Sequence, residues 1–75
     1  MDNHHELHSK FYQHGREAYG VLNSAAPAIN KHVQRWLAEN DPRVGDTRTT
    51  VVMRAYRSGW QAAADDAAAA ALLNN

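Results

Sequence analysis

The side chains best suited to chemistry in this sequence are its five histidines. His4 and His8 are one helical turn apart, a spacing that lets two imidazoles hold a divalent metal ion. Only acidic side chains are nearby as further ligands. The zinc-protease motif is absent, because Ser9 stands four residues after His5 where that motif needs a second histidine. We therefore predict a solvated polar N-terminal region and no metal site.

Motifs for covalent or phosphate chemistry are also absent. The sequence has no Gly-x-Ser-x-Gly elbow, no glycine-rich phosphate loop and no cysteine. A chain of 75 residues also has little material with which to enclose a pocket of about 300 Å³. We predict a protein that is not an enzyme, needs no cofactor and takes no small-molecule substrate.

A ladder of small residues in the last third of the chain suggests close helix packing. Its members are spaced by four and so share one helix face. Without bulky side chains, a second helix approaches such a face more closely than usual. Two interpretations stay open, a seam within the chain and an interface with a partner or a second copy. The ladder is Gly59, Ala63, Ala67 and Ala71, and Gly15 with Ala18 forms a matching patch.

Arginines and aromatic residues are interleaved in the only locally basic segment, residues 43–57, which holds four arginines and one acid. Tyr56 and Trp60 are one turn apart and are flanked by Arg54 and Arg57. Aromatic rings beside arginines stack on unpaired bases in RNA-binding proteins. The structural alternative is that both rings anchor a helix on the core.

A helix-turn-helix over residues 16–37 is a further candidate. Its second helix would expose residue types that read bases and phosphates. No spacing supplies the small residue, the turn glycine and the core positions of that motif together, so DNA binding is kept as a second alternative. The exposed residues would be Asn30, Lys31, Gln34 and Arg35.

Apolar spacing predicts two helices in the first half of the chain, over residues 3–22 and 26–39. Asp2 or Asn3 can cap the first helix, and Asn23 suits its end. Pro27 after a Ser24 cap suits the start of the second helix. The first stripe is Leu7, Phe11, Gly15 or Ala18, and Leu22; the second is Ile29, Val33, Trp36 and Leu37.

Residues 47–73 are predicted to form one long helix after a loop over residues 40–46. The β-branched opening, residues 47–52, makes a short strand a competitor. We favour a helix because the apolar stripe continues without interruption and a lone strand would lack a partner. Residues 62–71, eight alanines and two aspartates, favour helix strongly. Such a helix spans about 40 Å and would overhang a three-helix core.

The composition indicates one all-α domain that self-associates. Fourteen of its hydrophobic residues are alanine, which leaves few large side chains for a core in a domain this small. A second copy would complete that core, so we predict a helical homodimer. Formal net charge is zero, with eight basic and eight acidic residues, which disfavours nucleic acid as the main partner. The polar start and the absence of a long apolar run predict a soluble, cytoplasmic protein without a membrane partner.

Two stretches resemble the ribosome modulation factor family of small helical proteins, and together they cover about a quarter of the chain. Residues 15–18 (GREA) are similar to a Gly-x-x-Ala motif in the family's first helix. Residues 56–63 (YRSGWQAA) are similar to an aromatic-x-x-Gly-Trp-x-x-Ala motif in its last helix. This chain differs from the family in its neutral charge, its longer central region and its alanine tract. The resemblance implies ribosome binding, with Arg16, Arg54, Arg57 and Trp60 as RNA contacts.

Taken together, these features predict a small regulatory or inhibitory protein that acts by binding another protein through its third segment. The bias toward Ala, Arg, Asp and Val is typical of a bacterium with a GC-rich genome or of one of its phages. Ribosome or RNA binding through residues 43–57 is the first alternative.

Overall fold

The structure, a computed structural model, describes residues 3–21 and 26–74. It contains three α-helices and no strand in these two ranges, which confirms the predicted all-α class with a long C-terminal helix. Residues 47–52 are helical, so the competing strand is wrong. The helices are α1 (Asn3–Ala18), α2 (Lys31–Asn40) and α3 (Thr47–Leu73), with a short 3-10 turn (Pro27–Ile29) before α2.

Helix α1 ends earlier than predicted. The chain turns after Ala18, where the backbone N–H of Val21 donates to the Ala18 carbonyl at 3.2 Å. Gly20 has a φ of +89°, a conformation that glycine adopts without the steric cost that other residues pay. The turn therefore replaces the last predicted turn of helix. Leu22, Asn23 and Ser24, to which the predicted stripe and caps extended, lie outside the described residues.

The prediction of one α-helix over residues 26–39 is wrong at its start. Asn30 leaves helical geometry, with φ −83° and ψ 131°, and separates the 3-10 turn from α2. Its Oδ1 accepts hydrogen bonds from the backbone N–H groups of His32 at 2.9 Å and Val33 at 3.3 Å. Because this side chain satisfies the first free N–H groups of α2, the helix begins after Asn30. Ile29, predicted on the apolar face, is 52% exposed.

Asp46 caps α3. Its carboxylate accepts the backbone N–H of Arg48 at 2.9 Å and the Arg48 guanidinium at 2.8 Å. The side-chain hydrogen bond from Arg48 is the main cause that lowers the pKa of Asp46. The cap and the ion pair together fix the residue at which α3 begins.

Helices α1 and α3 run in the same direction, because residue numbers rise together along both helices where they meet. Helix α2 returns the chain between them. The core lies where the three helices meet and is formed by Phe11, Ala18, Val33, Trp36, Val52, Ala55 and Tyr56. The pairs that set the direction are His4 with Asp46, Gly15 with Tyr56, and Arg16 with Asp66.

Helix α3 continues well past the end of α1. The Tyr19 ring, just after α1, packs edge-on against Trp60, with 5.2 Å between ring centroids. Every residue from 65 to 74 is exposed. We call residues 65–73 the overhang; they extend α3 by about 13 Å. No helix in the described ranges combines the length and apolar character needed to cross a membrane.

Candidate functional site

Two glycines let α1 and α3 touch backbone to backbone. A Cβ on Gly15 would overlap the Tyr56 carbonyl oxygen and lie 2.9 Å from the Trp60 amide nitrogen. A Cβ on Gly59 would overlap the Tyr12 carbonyl oxygen and lie 3.1 Å from the Arg16 amide nitrogen. Only hydrogen fits at either position, so this part of the small-residue ladder forms a seam inside one chain.

The ladder divides along its length into a covered half and an uncovered half. Gly15, Gly59 and Ala18 are buried within the chain, so the hypothesis that they form a partner interface is wrong for these three. Ala63 is half-buried at the end of the seam. Ala67 and Ala71, on the overhang, are exposed and stay predicted interface residues.

The overhang carries apolar side chains to its tip. Leu72 is 76% exposed and Leu73 is 87% exposed. The charged side chains of the overhang are two aspartates at its N-terminal end. Asp66 accepts a hydrogen bond from Arg16 at 2.7 Å, and Asp65 accepts one from Gln61 at 3.0 Å. Beyond these two residues the surface is alanine and leucine up to Asn74.

The predicted RNA-contact residues are not all available to a base. Tyr56 is 0% exposed, and its hydroxyl accepts a hydrogen bond from Asn30 Nδ2 at 3.4 Å. The hypothesis that Tyr56 stacks on RNA is therefore wrong, because its helical position places it beside Val52 in the core. Trp60 is half-buried against Tyr19. Arg54 and Arg57 are exposed.

Arg16 is half-buried, and its hydrogen bond to Asp66 raises the pKa of its guanidinium. An RNA phosphate would therefore have to compete with Asp66 for it. Arg54 and Arg57 form no ion pair with any described residue. Of the predicted RNA contacts, these two are the side chains that present free charge to solvent.

The helix-turn-helix hypothesis fails at Asn30, which was expected to face a base. Asn30 is only 7% exposed, because its side chain caps α2 and contacts Tyr56. The Gln34 amide donates to the Ala28 carbonyl at 3.0 Å. Lys31 and Arg35 are exposed as expected.

A pair of stacked histidines joins α1 to α2. The imidazoles of His14 and His32 lie 3.8 Å apart between centroids, with 11° between their planes. His14 also meets Phe11 at 5.4 Å, and Phe11 meets Trp36 at 6.4 Å. Helices α1 and α2 therefore meet through aromatic rings. Sequence reasoning missed this pair, since it tested histidines at helical spacing and not histidines on different helices.

The pKa of His14 is lowered, mainly by burial and then by the charge that His32 can carry. The Glu17 carboxylate works in the opposite direction. Its Oε1 lies 3.7 Å from His14 Nδ1, which is too long for a hydrogen bond. His14 Nδ1 is thus buried without a hydrogen-bond partner among the described residues. In the described ranges, no three His, Cys, Asp or Glu side chains are grouped to hold a metal ion.

The chain matches no family model, no curated protein and no solved structure. The resemblance to the ribosome modulation factor family therefore stays a hypothesis that rests on the two motifs. The structure gives those motifs a packing role, because Gly15 and Gly59 are the contact points of α1 and α3, and Trp60 covers the seam against Tyr19.

Proposed function

We propose that this chain is a small, non-enzymatic interaction protein whose overhang packs against a helix of a protein partner. The simplest partner is a second copy of the chain, and the activity is regulatory or inhibitory. The observation that carries the proposal is the overhang itself, an exposed, alanine-rich continuation of α3 that ends in Leu72 and Leu73.

The composition of the overhang supports this assignment. The overhang continues α3, so its helix needs no new nucleus, and its alanines hold helical geometry at little cost. Alanine side chains let another backbone approach closely, as Gly15 and Gly59 do inside the chain. Each Å² of apolar surface that such a contact covers contributes about 25 cal/mol.

The small core supports a partner independently. Among the residues whose burial the structure describes, seven hydrophobic side chains are buried, and two of them are alanines. A domain of this size gains little stability from a core that small. A partner helix on the overhang would add buried area where the residues of α3 are exposed.

We expect Ala67→Arg to weaken self-association at least tenfold, because it places a large charged side chain on the predicted contact face. The measurement is sedimentation velocity across a concentration series, with circular dichroism to confirm that helix content is kept. Ala69→Arg is the matched control, since Ala69 lies about 160° away around the helix axis and should associate like the parent.

Two results would contradict self-association through this face. One is a parent protein that stays monomeric at millimolar concentration. The other is equal weakening by Ala67→Arg and Ala69→Arg, which would show that added charge acts without regard to position.

RNA or ribosome binding is the alternative. It is favoured by Arg54 and Arg57, which are exposed and form no ion pair with the part of the chain that the structure describes. If these side chains bind phosphates, RNA affinity falls about tenfold between about 50 and 200 mM salt. Replacing both arginines with alanine should then remove most of that salt dependence. Filter binding with single-stranded RNA measures both effects. This alternative would be rejected if RNA affinity did not change with salt concentration. It would also be rejected if replacing both arginines left RNA affinity unchanged.

A further inference from the structure

The contact between His14 and His32 places two titratable rings face to face across the junction of α1 and α2. Their rings are parallel and in van der Waals contact. A stack of two neutral imidazoles is favourable, since aromatic rings attract each other at this separation. A stack of two imidazolium ions is not, because the like charges would lie about 4 Å apart.

The surrounding charges further favour the neutral stack over the protonated one. Helix α1 presents Lys10 and Glu17 to the pair, and α2 presents Lys31, Arg35 and Glu39. These residues line the clefts on either side of the two rings. Three cations therefore face two acids, and Arg35 already partly neutralises Glu39, with Arg35 Nε 3.8 Å from a Glu39 oxygen. No charged residue of α3 lines these clefts.

We propose that the His14–His32 stack is a pH-sensitive lock that holds α2 against α1 at neutral pH and releases it in mild acid. Protonating one ring places a cation against its neighbour and among Lys10, Lys31 and Arg35. Protonating both adds direct repulsion across the junction. The Phe11–Trp36 contact, which also joins α1 to α2, does not titrate.

The direction of the effect follows from the pKa of His14. Burial lowers this pKa below its ordinary value of 6.5, so the unfolded or opened chain takes up a proton more readily than the closed one. The lock contributes fully above about pH 6.5. Its contribution is lost as the pH falls from there through the lowered pKa of His14.

Hydrogen exchange tests the lock directly. We expect the protection factors of α2 amides to fall about tenfold between pH 7.5 and 5, more than those of the middle of α3. His14→Phe, which keeps a ring in the stack without the buried titratable group, should remove most of this pH dependence. His32→Phe should weaken it, because the charge of His32 then no longer adds to the effect of burial on His14. His5→Gln, at an exposed histidine, should keep the parent response.

A proton NMR titration of the histidine Cε1–H signals tests the same claim without substituting either histidine. His14 should titrate below its ordinary pKa of 6.5. The proposal is overturned if His14 titrates at or above pH 6.5, if α2 protection does not change with pH, or if His14→Phe responds to pH like the parent.

Discussion

Gly59→Leu should abolish the folded state or lower Tm by at least about 12 °C. The new side chain would meet backbone atoms of Tyr12 and Arg16, which cannot move without shifting the whole of α1. Overpacking of this kind costs about 3 kcal/mol or more, and each kcal/mol lowers the Tm of so small a domain by about 4–8 °C. Thermal unfolding followed by circular dichroism at fixed protein concentration measures the loss.

The sign of this effect is diagnostic. On an unpacked helix surface, replacing glycine with leucine favours helix by about 1 kcal/mol, so a stabilised Gly59→Leu variant would refute the close seam. Ser58→Leu provides the matched control. Ser58 is the exposed neighbour of Gly59 on the same helix, and its substitution should leave Tm within a few degrees of the parent.

Asn30→Ala should destabilise the fold by about 2 kcal/mol or more. The substitution removes the cap of α2, which costs about 1 kcal/mol. It also leaves the buried Tyr56 hydroxyl without its Asn30 partner, at a further cost of about 1 kcal/mol. The free energy of unfolding from urea titration, compared at unchanged m-value, gives the result.

Two further variants separate the capping contribution of Asn30 from the contribution of its hydrogen bond to Tyr56. Asn30→Ser keeps a capping oxygen but cannot reach Tyr56, so it should recover about half of the loss. Tyr56→Phe removes only the hydroxyl, so it should reproduce the other half of the loss, about 1 kcal/mol. If Asn30→Ala proved as stable as the parent, the cap would not determine where α2 begins.

The helix pattern and the seam could be predicted from the sequence because both depend on local spacing. The apolar stripe of residues 47–73 predicted the full length of α3. The glycines inside α1 and α3 indicated that two helix backbones approach each other closely. The sequence did not distinguish a seam within the chain from one between chains. Which residues of the ladder pack inside the chain depends on how far α1 extends, and the turn at Gly20 ends α1 early.

The positions that sequence reasoning assigned wrongly are those where a side chain has a tertiary partner. Asn30 was placed outside because polar residues usually face water, yet three hydrogen bonds satisfy it inside. Tyr56 was a candidate base contact, but it faces the core with Val52. His14 and His32 are distant in sequence and occupy different helices, so no periodicity reveals their contact.

No glycine or proline follows Gly59 within α3, so the helix has no natural breaking point between the core and its tip. Inserting or deleting one alanine in the tract would barely alter composition, but it would turn Leu72 and Leu73 by about 100° about the axis and shift them by about 1.5 Å. The length of the alanine tract therefore determines the direction around the helix axis in which Leu72 and Leu73 point relative to the three-helix core.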